Sequence, residues 1–575
     1  MEKSSSTRAW RQPAPSTDGS AQREKPRAQG IHHPAVRHSA VISALVFLGI
    51  FGVIFIVIWV AHFPLLRLPY FWDEAGYFVP AARDILLSGS LIPHSTLSNA
   101  HPPLVTLYLA GCWKIFGFYP IVTRTAMLLV AAFALLGVFR LAEFVANREV
   151  AIGATLCTAL YPVFFAQSSL AHLDVAAAAF TFWGLTAYLR DRRLAVAGWF
   201  SAAVLAKETA IVAPLALVIW EIICPYISRH RENTFCIFAE RGGRRILNTG
   251  NFTSKISASR ILALLFAIMP LGLWFAYHYW RSGYLFGNPE FFRYNVQATM
   301  HPLRILLAGF FRLWQVFGYM NLFLLTAAAA LALMYPAQAT ELGERKRIAI
   351  PVQAVFAVVV LAYVAVMAMI GGAVLARYML PVVPLVIIVC VSTLWRRIRP
   401  WRTVLGIVVA GFVLALFVNP PYGFAPEDNL AYRDYVLLHQ AAAEFVSMHY
   451  KDGMVLTAWP ASDELTKPYL GYLQRPERVI SISDFSLPQI MEASAERNQF
   501  DAALLFSTKY EPAPRVLGDW PAWDRIKARF FAYHRDLPPE AVAELLGARI
   551  SYQQRRGGQW VAVLDIQPVV EAHLH

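Results

Sequence analysis

The side chains in this sequence that could do acid–base or anion-binding chemistry fall into a few short groups. Phe71-Trp72-Asp73-Glu74-Ala75-Gly76-Tyr77 sets two adjacent carboxylates among aromatic residues. His101-Pro102-Pro103-Leu104 opens a helix-like run, and its prolines fix the backbone behind the imidazole. His172-Leu173-Asp174 separates two apolar runs, Lys207-Glu208 interrupts the apolar stretch from Leu194 to Trp220, and Arg377-Tyr378 stands at the mouth of another run. Each group has a plain structural explanation. Asp73 and Asp174 can cap helices, Glu74 can sit at the positive end of a helix dipole, Lys207-Glu208 can be a neutralised turn, and Arg377-Tyr378 can anchor a helix at the membrane interface.

Charged side chains near membrane depth are costly, however, and mark function when several share one face. Taken together, the set supplies a carboxylate to activate a hydroxyl and cations suited to phosphate oxygens. Those are the requirements for transfer from a lipid-linked phosphate donor, and the reaction class would be glycosyl transfer. Asp73, Glu74, His101, His172 and Asp174 are also donors that a divalent metal would accept, but their irregular spacing assigns none.

The elements that must position these groups are membrane helices. Of 575 residues, 57% are hydrophobic and only 15% charged, against about 25% charge in a soluble domain. Five cysteines with no paired spacing exclude a disulfide scaffold or a zinc motif of the CxxC type. The net charge of +14 lies in clusters between apolar runs, a topological signal that argues against a nucleic-acid partner.

Apolar runs centre on residues 40–62, 120–139, 149–167, 175–190, 194–206, 209–224, 260–280, 319–335, 350–372, 378–395 and 403–419. The fold expected is an α-helical polytopic membrane protein of about eleven spans, up to thirteen. The run from Leu104 to Phe118 is read as interfacial or re-entrant. With it outside the bilayer core, the basic clusters at 140–148, 190–193, 225–260, 344–347 and 396–399 all fall on the side of the N-terminal tail. The expected domains are a disordered cytoplasmic tail over 1–39, a membrane domain over 40–420 and a soluble extracytoplasmic α/β domain over 421–575. Alternating strand-like and helix-like stretches point to that last layer fold. The sequon Asn251-Phe252-Thr253 falls on the cytoplasmic side in this topology.

In this order and at these positions, the motifs resemble the GT-C membrane glycosyltransferases of the family 39 group. That group includes protein O-mannosyltransferases and lipid A aminoarabinose transferases. The matching pieces are Trp72-Asp73-Glu74, His101-Pro102-Pro103-Leu104, Asp174, the Lys207 turn, and Arg377-Tyr378 with Pro381 and Pro384. The resemblance extends over roughly residues 40–420. It implies a multi-pass inner-membrane enzyme with a polyprenyl-phosphate sugar as donor and a lipid, glycan or protein as acceptor at the external face. Asp73 would be the catalytic carboxylate and Glu74 its neighbour or substitute. Lys207 and Arg377 would hold the donor phosphate, and His101 and Asp174 would shape the acceptor side or assist a metal; His172, Glu208 and Tyr378 complete the substrate-binding set. His101 replaces a lysine common in the aminoarabinose transferases, so Lys114 or Arg124 is an alternative phosphate contact. The competing reading is a transporter or flippase for a lipid or amphiphile, although transporters place binding groups near the midplane, often within repeats.

Overall fold

A computed structural model describes residues 34–230, 238–241, 244–247, 257–341, 343–510, 520–531 and 533–566. Most of the N-terminal tail, the sequon and part of the 225–260 loop lie outside the described residues. Each of the eleven apolar runs carries helix. Among the described residues, four helical segments are long and apolar enough to cross a membrane unbroken: Pro120–Val145, Glu208–Pro225, Ala258–Ser282 and Ile350–Met369. A fifth span is broken, its halves Pro302–Phe317 and Leu322–Ala332 meeting at 76°. The first helix, Pro34–Ala61, has 28 residues, and the remaining apolar helices are shorter or interrupted. The Leu104–Phe116 helix has 13 residues and rises only about 20 Å, against a hydrocarbon core of about 30 Å.

The interruptions have local causes, and they are where polar groups gather. Tyr161 precedes Pro162 and is held away from helical geometry (ψ 123°), which ends Arg148–Leu160 and starts Pro162–Gln167. Lys207 is extended between Arg193–Ala206 and the short turn Glu208–Ile211. Between Ile350–Met369 and Val383–Arg397 the chain leaves helix at Ile370 and passes through Gly371-Gly372 before the short turn Ala376–Met379. Irregular backbone at this depth is tolerated only where protein, not lipid, surrounds it, and Lys207, Asp174 and Arg377 are all buried.

Beyond the last apolar helix, Trp401–Phe417, the chain forms an α/β layer. Strands β1 (Met454–Ala458), β2 (Arg478–Ile482), β3 (Ala502–Phe506), β4 (Ala548–Arg556) and β5 (Gln559–Ile566) make one sheet of order β2-β1-β3-β5-β4. The first three strands run parallel and β5 joins antiparallel to β3 and β4. The described residues from Ile50 onward are one compact unit. A single apolar core joins Tyr70, Phe71 and Leu109 of the first loop region to Tyr432, Tyr435 and Val455 of the C-terminal layer. The backbone is tied as well: Tyr70 N–H donates to Leu470 O (3.2 Å), and the Tyr472 hydroxyl donates to Tyr70 O (3.1 Å).

Candidate active site

Trp72 is a non-glycine residue at φ 45°, a conformation that costs free energy and persists only where its surroundings hold it. The Tyr435 and Trp459 rings meet Trp72 edge-on at 5.5 and 5.4 Å. Gly76 is required beside them, because a Cβ there would lie 2.6 Å from the Trp459 ring. Asp73 follows Trp72, and a single π-helical turn, Glu74–Phe78, follows Asp73. Such wide turns often mark functional sites.

Asp73 faces Arg377, which is the hub of the site. One terminal nitrogen of Arg377 is hydrogen-bonded to Asp73 Oδ2. The other donates to Glu427 Oε2 at 2.5 Å and lies 3.1 Å from His172 Nδ1. Its Nε is 3.5 Å from Asp174 Oδ2, and Lys207 Nζ donates to Asp174 Oδ1 at 2.6 Å. The structure thus brings Asp73, His172, Asp174, Lys207, Arg377 and Tyr378 into one cluster. The Tyr378 ring carries three cations around it, with Lys207 Nζ at 4.1 Å, Arg312 at 5.5 Å and Arg377 at 5.6 Å. Of the three carboxylates around Arg377, Asp73 is the one a substrate can reach: its side chain is 22% exposed, against 5% for both Asp174 and Glu427.

Glu74 points elsewhere. Fully buried, it pairs with Arg124 and accepts from the backbone N–H groups of Ala171 (2.5 Å) and Phe71 (2.9 Å). Arg124 in turn donates to the carbonyls of Ser169 and Pro69, so it is committed to fixing the loops. His101 and Glu208 form a second pair, Nδ1 to Oε2 at 2.8 Å. Phe78 stands between the two groups, its ring 5.8 Å from both the His101 and the His172 ring.

Burial pushes His172 well below its ordinary value, helped by the charges of Arg377, Lys207 and Arg124, so the ring is neutral. Burial pushes Glu427 up to about 8 even with Arg377 pulling it down. Burial likewise takes Asp428 to about 7 against the hydrogen bond from the Tyr319 hydroxyl (2.6 Å). Among the described residues no group of His, Cys, Asp or Glu is arranged to hold a metal ion; the acidic oxygens of the cluster face guanidinium and ammonium groups instead.

Several functional candidates were not visible in the sequence. Glu427 follows the last apolar helix, where Pro426-Glu427-Asp428-Asn429 offers the same adjacent-acid signal as Asp73-Glu74. Arg304 and Arg312 sit on Pro302–Phe317, a helix whose spaced polar residues hide it from a search for apolar runs. Both are buried, and neither has a carboxylate within ion-pair distance among the described residues. Arg304 donates to the carbonyls of Phe530, Gly371 and Gly372; Arg312 donates to those of Met367 and Leu375 and to Gln315. Each keeps one buried nitrogen without a partner.

Residues 100–238 match the family model of dolichyl-phosphate-mannose-protein mannosyltransferases. That segment carries His101, His172, Asp174, Lys207 and Glu208. The match covers that segment alone. No curated protein sequence matches this chain. Among solved structures it is similar to ArnT from Cupriavidus metallidurans bound to undecaprenyl phosphate, at 14% identity and a TM-score of 0.47, covering 91% of this chain and 98% of that one. It is also similar to the oligosaccharyltransferase AglB from Archaeoglobus fulgidus in complex with an inhibitory peptide and a dolichol-phosphate, at 11% identity and a TM-score of 0.37, covering 80% and 69%.

Proposed function

We propose that this chain is a membrane glycosyltransferase of the GT-C type, moving a sugar from a polyprenyl-phosphate carrier to a hydroxyl of a lipid, glycan or protein acceptor on the extracytoplasmic side, with the N-terminus cytoplasmic and residues 421–575 outside. The observation that carries the reading is the pairing of one partly exposed carboxylate, Asp73, with a surrounding excess of buried cations. Asp73 takes the acceptor hydroxyl proton as its oxygen bonds to the anomeric carbon. The bond from that carbon to the phosphate oxygen breaks, and its electron pair leaves with the polyprenyl phosphate, inverting the anomeric centre. Cations placed where charge develops stabilise such a transition state. Lys207 and Arg377 are partly neutralised by Asp174 and Asp73, whereas Arg304 and Arg312 bring uncompensated charge to the phosphate side. Glu74 holds the loop and stays out of the chemistry, and Glu427 ties the C-terminal segment into the site.

The purified protein tests this directly. It should release polyprenyl phosphate from a synthetic polyprenyl-phosphate sugar in the presence of membrane acceptors and leave nucleotide-activated sugars untouched. Turnover of nucleotide sugars, with none of the lipid-linked donor, would overturn the reading.

A further inference from the structure

The two rings that hold Trp72, Tyr435 and Trp459, both come from the C-terminal layer, and both lead back to one buried polar pair. Tyr435 and His439 stand four residues apart on the helix Ala431–His449, so they share a face, and their rings stack at 3.9 Å. Glu464 lies on Ala461–Thr466, the short helix that begins two residues after Trp459. His439 Nδ1 is 2.5 Å from Glu464 Oε2, with both side chains buried. The pair therefore joins the helix that carries Tyr435 to the segment that carries Trp459. Phe506, at the end of β3, closes the edge of the His439 ring at 4.7 Å.

Stability alone does not account for this pair. Replacing a buried polar pair by apolar side chains of similar volume is often neutral or stabilising. Here His439 Nε2 is also buried without a hydrogen-bond partner among the described residues, which adds a cost. What the pair supplies is direction: its hydrogen bond fixes the imidazole plane, and Tyr435 rests on that plane. Tyr435 in turn meets Phe71 edge-on at 5.1 Å and Trp72 at 5.5 Å. Trp459 meets Trp72 at 5.4 Å and Tyr77 at 5.9 Å. The two rings thus brace the chain on both sides of Asp73, including the positive-φ residue Trp72, which needs such support.

We propose that His439 and Glu464 are positioning residues for Asp73, acting through Tyr435, Trp459 and Trp72, so that the C-terminal layer sets the aim of the reacting carboxylate. The proposal rests on the glycosyl-transfer reading above for the role of Asp73. A misplacement of about 1 Å at a reacting group can cost about 10²-fold in rate.

Glu464→Leu and His439→Phe each remove the hydrogen bond while keeping bulk, the second also keeping a ring against Tyr435; Glu464→Gln keeps the acceptor. The full-length variants are compared with wild type in thermal stability, in undecaprenyl phosphate binding, and in kcat and KM for release of undecaprenyl phosphate from undecaprenyl-phosphate mannose. The fluorine NMR resonance of Trp72 in protein labelled with fluorotryptophan, assigned by its loss in Trp72→Phe, reports the brace itself. Expected in the Leu and Phe variants are unchanged stability and lipid binding, a displaced Trp72 resonance and a kcat at least tenfold lower at constant KM, with Glu464→Gln restoring both resonance and kcat. Overturning results are an unmoved resonance, a kept kcat, an effect confined to KM or lipid binding, no rescue by Glu464→Gln, or failure of both the Leu and the Phe variant to fold, which would make the pair purely structural. A wild type inert towards the lipid donor contradicts the glycosyl-transfer reading instead, and the Trp72 resonance then decides the brace: displaced and rescued supports it, unmoved overturns it.

Discussion

Glu427 holds Arg377 from the side opposite Asp73, and replacing it separates the role of its charge from that of its hydrogen bond. Burial sets Glu427 at about 8, so near neutral pH it carries a proton and glutamine is a close isostere. Glu427→Gln therefore keeps most of the activity at pH 7. Glu427→Ala takes away the 2.5 Å partner of Arg377 Nη1 in a buried site, where an unmet donor costs about 1–3 kcal/mol. If the guanidinium then swings from Asp73, kcat/KM falls by roughly 5- to 150-fold. The assay is release of polyprenyl phosphate from the lipid-linked donor over a pH series. Because the folded-state value exceeds the ordinary carboxylate value of 4.5, the native state holds the extra proton. The linked stabilisation is complete below that ordinary value and is lost as pH rises to about 8, with a slope of up to about 1.4 kcal/mol per pH unit. Wild type should lose thermal stability across that window, and Glu427→Gln should lack this component. A glutamine variant as inactive as the alanine variant at pH 7 would refute the argument, because the negative charge itself would then be required.

Three further outcomes follow from the geometry. Glu74→Gln breaks a fully buried pair with Arg124, a change of about 3–5 kcal/mol; the yield of folded protein in detergent should drop far more than the turnover of each folded molecule. Arg312→Gln removes a buried charge with no acidic partner, so binding of undecaprenyl phosphate should weaken by about tenfold or more while the protein becomes no less stable; unchanged lipid binding would place the phosphate elsewhere. Glu208→Gln weakens the orientation of His101, and KM should rise with little change in kcat if that ring only binds substrate.

Much of the site was legible because its residues interrupt apolar sequence. Lys207 and Arg377 stand out wherever a membrane helix would otherwise continue, and Asp73, His172 and Asp174 sit in the turns between runs. Adjacent letters misled in one respect, since Asp73 and Glu74 read as a pair while the backbone turn sends Glu74 into the protein and leaves Asp73 facing outward. Glu427 was hidden because its partner Arg377 lies fifty residues away, across a change of composition that reads as a domain boundary. The Pro302–Phe317 helix was missed for a related reason: Arg304 and Arg312 on its inner face break the apolar run that would announce a span. The strand-like stretches of the C-terminal layer were plain from alternation, but its shared core with the first loop depends on long-range packing of rings such as Tyr435 and Trp459.

The central claim is that Asp73 is the carboxylate that accepts the proton, and Asp73→Asn tests it most directly. The variant keeps the side-chain shape and an oxygen for Arg377, so it should insert, fold and bind undecaprenyl phosphate as wild type does. Its transfer from a polyprenyl-phosphate sugar should fall by about 10²- to 10⁴-fold, the usual contribution of a positioned base. Transfer at the wild-type rate by correctly folded Asp73→Asn protein would contradict the account.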